Sequence, residues 1–318
     1  MTSIRTALRL GLSSVLAHKR LVLVLWLANV ALALPAAWMM KDALESSIGA
    51  SLVHEKMRRG FDVAWYSEFQ SRAKGIETTF GPSVSGPGPF YGNLEGWLTG
   101  QIFASLPGLV ALGVLGALLW TFLLGGVLES LVHRERPRSA AHFFAASGRY
   151  YGRFLRLALV SAGLYAVVYR LAGWLFSTVH RVGRDVTVER TLLGYALAAA
   201  ALTALLLASI NMVFDYAKIV VVADDRPSAL GALRDAFRFV RSRPLATFGL
   251  YLGLAAVGVA LLAAYAAIAP GGRQASPGGV IFAFLAGQAF LVVKLGLRLT
   301  FFASEVALHA SSRGDRTS

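Results

Sequence analysis

The chain has 318 residues, of which 56% are hydrophobic and 15% charged, and its mean hydropathy is +0.60. Soluble globular proteins carry about 25% charged residues, so this composition excludes an ordinary soluble domain. The sequence contains no cysteine, which excludes disulfide bonds, thiolate metal ligands and cysteine nucleophiles. The net charge of +14 is compatible with nucleic-acid binding, but its distribution along the chain favours a membrane surface.

Six apolar runs are long enough to cross a hydrocarbon core of about 30 Å as helices. Lipid offers no partner to a backbone amide, so spanning segments pair their amides internally, as helices do. The sequence therefore predicts an all-α, polytopic membrane helical bundle, with residues 1–318 as a single six-helix domain. The predicted spans are Leu21–Met40, Ile102–Val127, Phe154–Phe176, Thr191–Val213, Ala246–Ala267 and Val280–Ala303.

Basic residues predict the orientation of these spans. The segments before the odd-numbered spans, together with the last segment, hold 18 Lys and Arg residues, and the loops on the opposite side hold 10. Positive residues are retained on the cytoplasmic side, so both termini are predicted to be cytoplasmic. Anionic lipid of the inner leaflet is then the expected partner of the excess charge, and no nucleic acid is needed to explain it.

A short amphipathic stretch precedes each odd-numbered span: Ser3–Arg20, Ser139–Arg156 and Ser228–Arg243. Each begins with serine, whose hydroxyl can cap a helix N-terminus. In the third stretch an apolar face with Leu230 and Phe237 lies beside a basic face, which is typical of a helix in the membrane interface. The repeat predicts three units, each an elbow helix plus a transmembrane hairpin. The arginines predicted to contact anionic lipid are Arg149, Arg153, Arg234, Arg238 and Arg241.

The segment Phe214–Pro244, FDYAKIVVVADDRPSALGALRDAFRFVRSRP, is followed by a glycine-rich span. This segment, and the layout of the whole chain, resemble poorly characterised bacterial six-span membrane proteins. That group includes the membrane domain fused ahead of some glycerophosphodiester phosphodiesterases. The resemblance implies a six-span fold in a bacterial inner membrane and implies no particular activity, because the 318 residues include no phosphodiesterase domain.

The long loop between the first two spans, residues 41–101, is predicted to be an extracytoplasmic insertion. Aromatic residues line one face of a helix in it and recur in a later glycine- and proline-rich stretch. These residues either form an aromatic belt on the lipid surface, dock a partner subunit, or line a pocket for lipid or quinone. They are Phe61, Trp65, Tyr66, Phe69, Phe90, Tyr91 and Trp97.

Four polar residues form a candidate cluster inside the membrane. Asn211 and Asp215 lie near the cytoplasmic end of the fourth span, and Lys294 and Arg298 lie at a similar depth in the sixth. An ion pair between Asp215 and Arg298 is predicted from these positions. Intramembrane charges mark functional sites, but basic residues near a membrane edge can also extend to the headgroups.

Small residues at a spacing of four predict where helices approach closely. Gly249 and Gly253 have this spacing in the fifth span, and Gly113 and Ala117 have it in the second. These pairs are candidate crossing points between helices.

Motifs of metalloproteases, nucleotide-binding loops and serine hydrolases do not occur in the sequence. We therefore expect no enzymatic activity and no cofactor or metal. The favoured interpretation is a subunit or scaffold of a larger membrane assembly. The alternative is a transporter or lipid-handling protein that uses a cavity between the three hairpins.

Overall fold

The structure is a computed structural model that describes residues 4–49, 62–80, 107–133, 139–184, 188–269 and 276–317. In these ranges the chain forms helices and no strand, which confirms the all-α prediction. A 3₁₀ helix spans Gly75–Thr79. The α-helices are α1 (Ile4–Ala17), α2 (Lys19–Gly49), α3 (Val63–Arg72), α4 (Pro107–Val132), α5 (Ala140–Gly183), α6 (Glu189–Ala223), α7 (Ala229–Ser242), α8 (Pro244–Ile268) and α9 (Pro277–Thr317).

Six of these helices are long and apolar enough to cross a membrane: α2, α4, α5, α6, α8 and α9. Five of the predicted spans fall entirely inside them, and the second begins in residues outside the described part of the chain. The chain is thus a multi-pass integral membrane protein. Several of these helices exceed the length that a bilayer needs; α5, with 44 residues, is about 66 Å long at 1.5 Å per residue.

The three amphipathic stretches do not share one structure. The first and third form separate helices, α1 and α7, whereas the second is continuous with its span in α5. Pro244 explains the break after α7, because a proline disfavours helical geometry in the preceding residue, and Arg243 has φ −138° and ψ 55°. No proline interrupts α5. The three-unit arrangement is therefore not confirmed.

Two of the predicted serine caps are confirmed. Ser139 Oγ accepts a hydrogen bond from the His142 backbone N–H at the start of α5. Ser228 Oγ accepts one from the Gly231 N–H at the start of α7. Ser3 lies outside the described residues.

The buried core lies at one end of the bundle, which we call the basic end because the predicted arginine-rich segments flank it. There α4, α6 and α9 end, α2, α5 and α8 begin, and α1 and α7 pack across them. Towards the other end the spans pack little against one another; Trp38 of α2 is 67% exposed and Phe282 of α9 is 63% exposed. Spaces between helices therefore remain open along the sides of the bundle.

Two close helix approaches occur at the basic end. A Cβ added to Gly11 of α1 would lie 2.9 Å from the Ser304 backbone nitrogen of α9. One added to Gly126 of α4 would lie 2.6 Å from the Phe143 ring of α5. Among the described residues, no atom of another helix lies within 4 Å of this position at Gly113 or Gly253, so the crossing points predicted there are wrong. At Gly249, the other glycine of the predicted fifth-span pair, the added Cβ would lie 2.9 Å from Ile4 Cδ1 of α1.

Candidate functional site: a buried polar cluster beside a lateral cavity

Asp215 is the centre of a polar cluster between α6 and α9. Its side chain is fully buried, at 0% exposure. Lys218, one turn further along α6, places Nζ 2.8 Å from Asp215 Oδ1. From α9, Arg298 Nη1 lies 3.5 Å from Asp215 Oδ2 and its guanidinium stacks over the Phe302 ring at 4.7 Å. The carboxylate thus pairs with one cation of its own helix, Lys218, and is joined to α9 by the other, Arg298.

Asn211 extends the cluster to two further helices. Its Nδ2 donates to the Tyr251 hydroxyl of α8 at 2.6 Å and lies 3.4 Å from Asp215 Oδ2. From α5, the Tyr165 hydroxyl donates to Asn211 Oδ1 at 3.4 Å. An amide can bridge in this way because it carries both a donor and an acceptor. Four spans therefore meet at one hydrogen-bonded network.

Glu305 of α9 adds a second buried carboxyl group next to this network. It is 1% exposed, and neither carboxyl oxygen has a hydrogen-bond partner within the described part of the chain. The hydroxyl of buried Tyr216 likewise has none among the described residues. Burial of such groups costs free energy unless they gain partners, so this region holds unused hydrogen-bonding capacity.

A cavity of about 740 Å³ opens next to the network, between α5, α6 and α8. Its polar lining consists of Asn211 and the tyrosines Tyr165, Tyr169 and Tyr251, and the rest is Leu207 and small alanines. The cavity therefore has hydroxyl and amide groups on an otherwise apolar wall, beside the halves of α6 and α8 near the basic end and the middle of α5.

Lys294 is not part of this network. It is exposed on α9 and lines a separate cavity of about 390 Å³ with Asn29 and Trp120, where Arg298 also contributes. Gln288, two turns further from the basic end, accepts a hydrogen bond from Trp26 Nε1 at 2.8 Å. The structure thus brings together three of the four predicted cluster residues, and Arg298 lies between the two cavities.

Sequence reasoning missed four members of the cluster: Tyr165, Lys218, Tyr251 and Glu305. A signal existed for two of them. Lys218 follows Asp215 by three residues and Glu305 follows Arg298 by seven, so each shares a helix face with a predicted member. The tyrosines had no such signal, because their partners lie on other helices.

The predicted insertion aromatics that the structure describes pack within the chain. Trp65 and Phe69 stack at 5.3 Å, and Phe80 contacts both edge-on. Trp65 Nε1 also donates to Ser47 Oγ of α2 at 3.0 Å. Trp65 and Phe69 are buried, at 6% and 7% exposure, so they are not open to a partner or to lipid in this structure. Tyr66 is half-buried, and Phe61, Phe90, Tyr91 and Trp97 lie outside the described residues.

Three of the predicted lipid-binding arginines pair with acidic residues of the chain: Arg238 lies 3.8 Å from Asp235, and the other two share Asp225. Arg149 Nη2 and Arg153 Nη1 of α5 each lie 2.7 Å from the carboxylate of Asp225, in the turn between α6 and α7. Asp225 has φ 44°, a left-handed conformation that aspartate tolerates better than most residues. The hydrogen bond from Arg153, with the charge of Arg149, lowers the pKa of Asp225.

The arginines of α7 remain exposed, as do Leu230 and Phe237 of the predicted apolar face, and the helix packs on the rest of the chain through another set of residues. The buried face is formed by Ala229, Ala232, Ala236, Phe239 and Val240. Leu230 and Phe237 are 65% and 56% exposed, close to the exposed Arg234, Arg238 and Arg241. Small alanines allow α7 to approach its neighbours closely, and the larger side chains remain free for lipid.

No protein-family profile, curated protein or solved structure matches this chain.

Proposed function

We propose that this integral membrane protein is a non-catalytic lipid-handling protein that binds an amphiphile from the bilayer in the cavity between α5, α6 and α8. The observation that carries the proposal is the junction of this cavity with the Asn211–Asp215–Arg298 network. A cavity of about 740 Å³ is within the usual size of small-molecule sites, about 300–1,000 Å³. Such sites combine apolar walls with a few placed polar groups.

The lining chemistry favours a polar but uncharged group on the ligand. Tyr165, Tyr169 and Tyr251 present hydroxyls, which donate and accept, and Asn211 presents an amide. The charges of Asp215, Lys218 and Arg298 are paired with one another behind this lining. A hydroxylated or carbonyl-bearing lipid headgroup is complementary to this uncharged polar lining, while its chain lies along the alanines and Leu207.

A subunit of a larger membrane assembly is the second candidate. The spans bury little of each other away from the basic end, where Trp38, Leu197 and Phe282 are at least 58% exposed. A partner helix could cover these surfaces. The burial of Trp65 and Phe69 inside the chain disfavours the insertion aromatics as the docking surface, so this candidate ranks below lipid handling.

Native mass spectrometry after gentle extraction separates the two candidates. Ala208→Trp fills the cavity with an indole without removing a polar group, and Ala198→Trp places the same side chain at an exposed position of the same helix outside the cavity. We expect wild type and Ala198→Trp to retain a lipid adduct that Ala208→Trp loses at least tenfold. Equal retention by both variants, or an adduct-free wild type, contradicts the proposal. A co-purifying protein in place of lipid supports the subunit candidate.

A further inference from the structure

A separate cavity of about 640 Å³ lies at the basic end, between the α1–α2 junction and the first turn of α5. His18, Lys19 and Arg20 line one side of it, and Ser139 and His142 line the other. None of these residues belongs to the polar cluster or to the cavity of the proposed function. The cavity therefore needs its own explanation.

His18 is a buried polar side chain of this cavity without a full set of partners. It is 6% exposed, and its Nδ1 lies 2.6 Å from the Ser14 carbonyl oxygen. A carbonyl only accepts, so Nδ1 carries a proton. The other ring nitrogen, Nε2, is buried and has no hydrogen-bond partner among the described residues. A buried unsatisfied polar group calls for an explanation, such as a bound ligand.

The surroundings of His18 are suited to an anion. Lys19 and Arg20 supply two positive charges on exposed side chains. Across the cavity, Ser139 caps the His142 N–H, which leaves the first N–H groups of α5, those of Ala140 and Ala141, without intrahelical acceptors. Free N–H groups at a helix N-terminus bind phosphate and similar anions. An anionic oxygen at Nε2 needs a donor there, and because Nδ1 already carries a proton, the ring provides that donor only with a proton on both nitrogens.

Among the described residues, the acidic group that contacts this cavity's lining, Glu129, is engaged by other side chains. Glu129 is buried and lies 3.7 Å from His142 Nε2. It is also engaged on its other side, where it accepts from the Tyr150 hydroxyl at 3.1 Å and lies 3.0 Å from His133 Nδ1. Glu129 thus has its hydrogen bonds with Tyr150 and His133, and His142 Nε2 has none among the described residues.

The remaining wall is apolar, which indicates the source of the anion. Leu21 and Val24 of α2 face Phe143 and Phe144 of α5 across the cavity, and Phe144 is 50% exposed. Free phosphate gains nothing from contact with an apolar wall, whereas the acyl chains of a lipid bury that wall favourably. We propose that this cavity binds the phosphate of an anionic phospholipid from the leaflet at the basic end, through His18, Lys19, Arg20 and the N-terminus of α5.

Lipid titration of the purified full chain, followed by native mass spectrometry, tests the proposal. The probes are dioleoyl phosphatidylglycerol, dioleoyl phosphatidylcholine and inorganic phosphate. We expect phosphatidylglycerol to bind at least tenfold more tightly than phosphatidylcholine. We expect the double variant Lys19→Gln/Arg20→Gln to lose that preference. The matched control Arg5→Gln/Arg9→Gln removes two exposed charges of α1 that do not line the cavity, and it is expected to keep the preference.

A further variant separates the built site from general surface charge. His18→Phe keeps a ring in place and removes the free nitrogen, so it is expected to weaken phosphatidylglycerol binding while both lysine and arginine remain. Three results would each overturn the proposal. The first is an equal loss of phosphatidylglycerol preference in the two double variants, and the second is unchanged lipid binding by His18→Phe at an unchanged melting temperature. The third is binding of inorganic phosphate that is as tight as binding of lipid. Binding here is expected to persist in Ala208→Trp, so failure of this site and failure of the lateral cavity are distinguishable.

Discussion

Asp215→Asn removes the charge of the central carboxylate and preserves its shape. Lys218 at 2.8 Å and Arg298 at 3.5 Å then keep their positive charges beside a neutral amide. Loss of one partner from a buried ion pair costs about 3–5 kcal/mol. The side chains of Lys218 and Arg298 are 18% and 30% exposed and regain some hydration, so we expect a cost near the lower limit, about 3 kcal/mol.

A cost of that size lowers the melting temperature of a chain of this length by about 6 °C, at roughly 2 °C per kcal/mol. The assay is thermal unfolding in one detergent, followed by light scattering and intrinsic fluorescence. Glu45→Gln is the control, because the Lys41–Glu45 pair is exposed on both sides and such pairs contribute about 0.3–0.5 kcal/mol.

The reasoning is refuted if Asp215→Asn and Glu45→Gln shift the melting temperature equally. A double-mutant cycle with Arg298→Met provides the second check, since residues in one ion-pair network couple by about 0.5–3 kcal/mol. Additive effects would show that Asp215 and Arg298 do not interact.

Two further predictions concern the basic end. Gly11→Ala forces α1 away from Ser304 and is expected to lower the stability of the fold by about 1–3 kcal/mol through overpacking. The control Gly253→Ala has open space at its Cβ position and is expected to be neutral or stabilising. Equal melting temperatures of the two variants would contradict the packing of α1 on α9. Arg153 and Arg149 lower the pKa of Asp225, so the stabilisation from this contact is present at neutral pH and is lost as the pH falls below the ordinary range of aspartate towards the lowered value. Arg153→Gln is expected to raise the pKa of Asp225, as measured by ¹³C NMR titration of labelled aspartate, and an unchanged titration would contradict the contact.

The spans were predictable from the sequence because length and apolarity alone decide whether a helix fits a bilayer. The caps at Ser139 and Ser228 were predictable for a similar reason, since a cap depends on residues three positions apart. The break after α7 follows from Pro244. By contrast, no sequence pattern explains why the second amphipathic stretch continues into its span in α5, whereas the first forms the separate helix α1. The packing of α1 on α9 is a tertiary contact, and it decides where the chain turns after α1.

The cluster was predictable only within one helix at a time. Asn211 and Asp215 share a face of α6. Arg298 was predicted as a partner of Asp215 because the two residues lie at a similar depth in their spans. Tyr165 and Tyr251 join the cluster because α5 and α8 pack beside α6, which depends on the contacts of whole helices. Close approaches were mispredicted for the same reason: glycines are common in these spans, and Gly11 and Gly126 differ from Gly113 only in what lies opposite them.

The most direct measurement is an electron cryo-microscopy map of the protein in lipid nanodiscs. We expect elongated density in the cavity between α5, α6 and α8, with its polar end within hydrogen-bonding distance of Asn211 or Tyr251. That density should be absent from a map of Ala208→Trp. Closure of the cavity by direct contact of α5 with α8, with no lipid between them, would contradict the account.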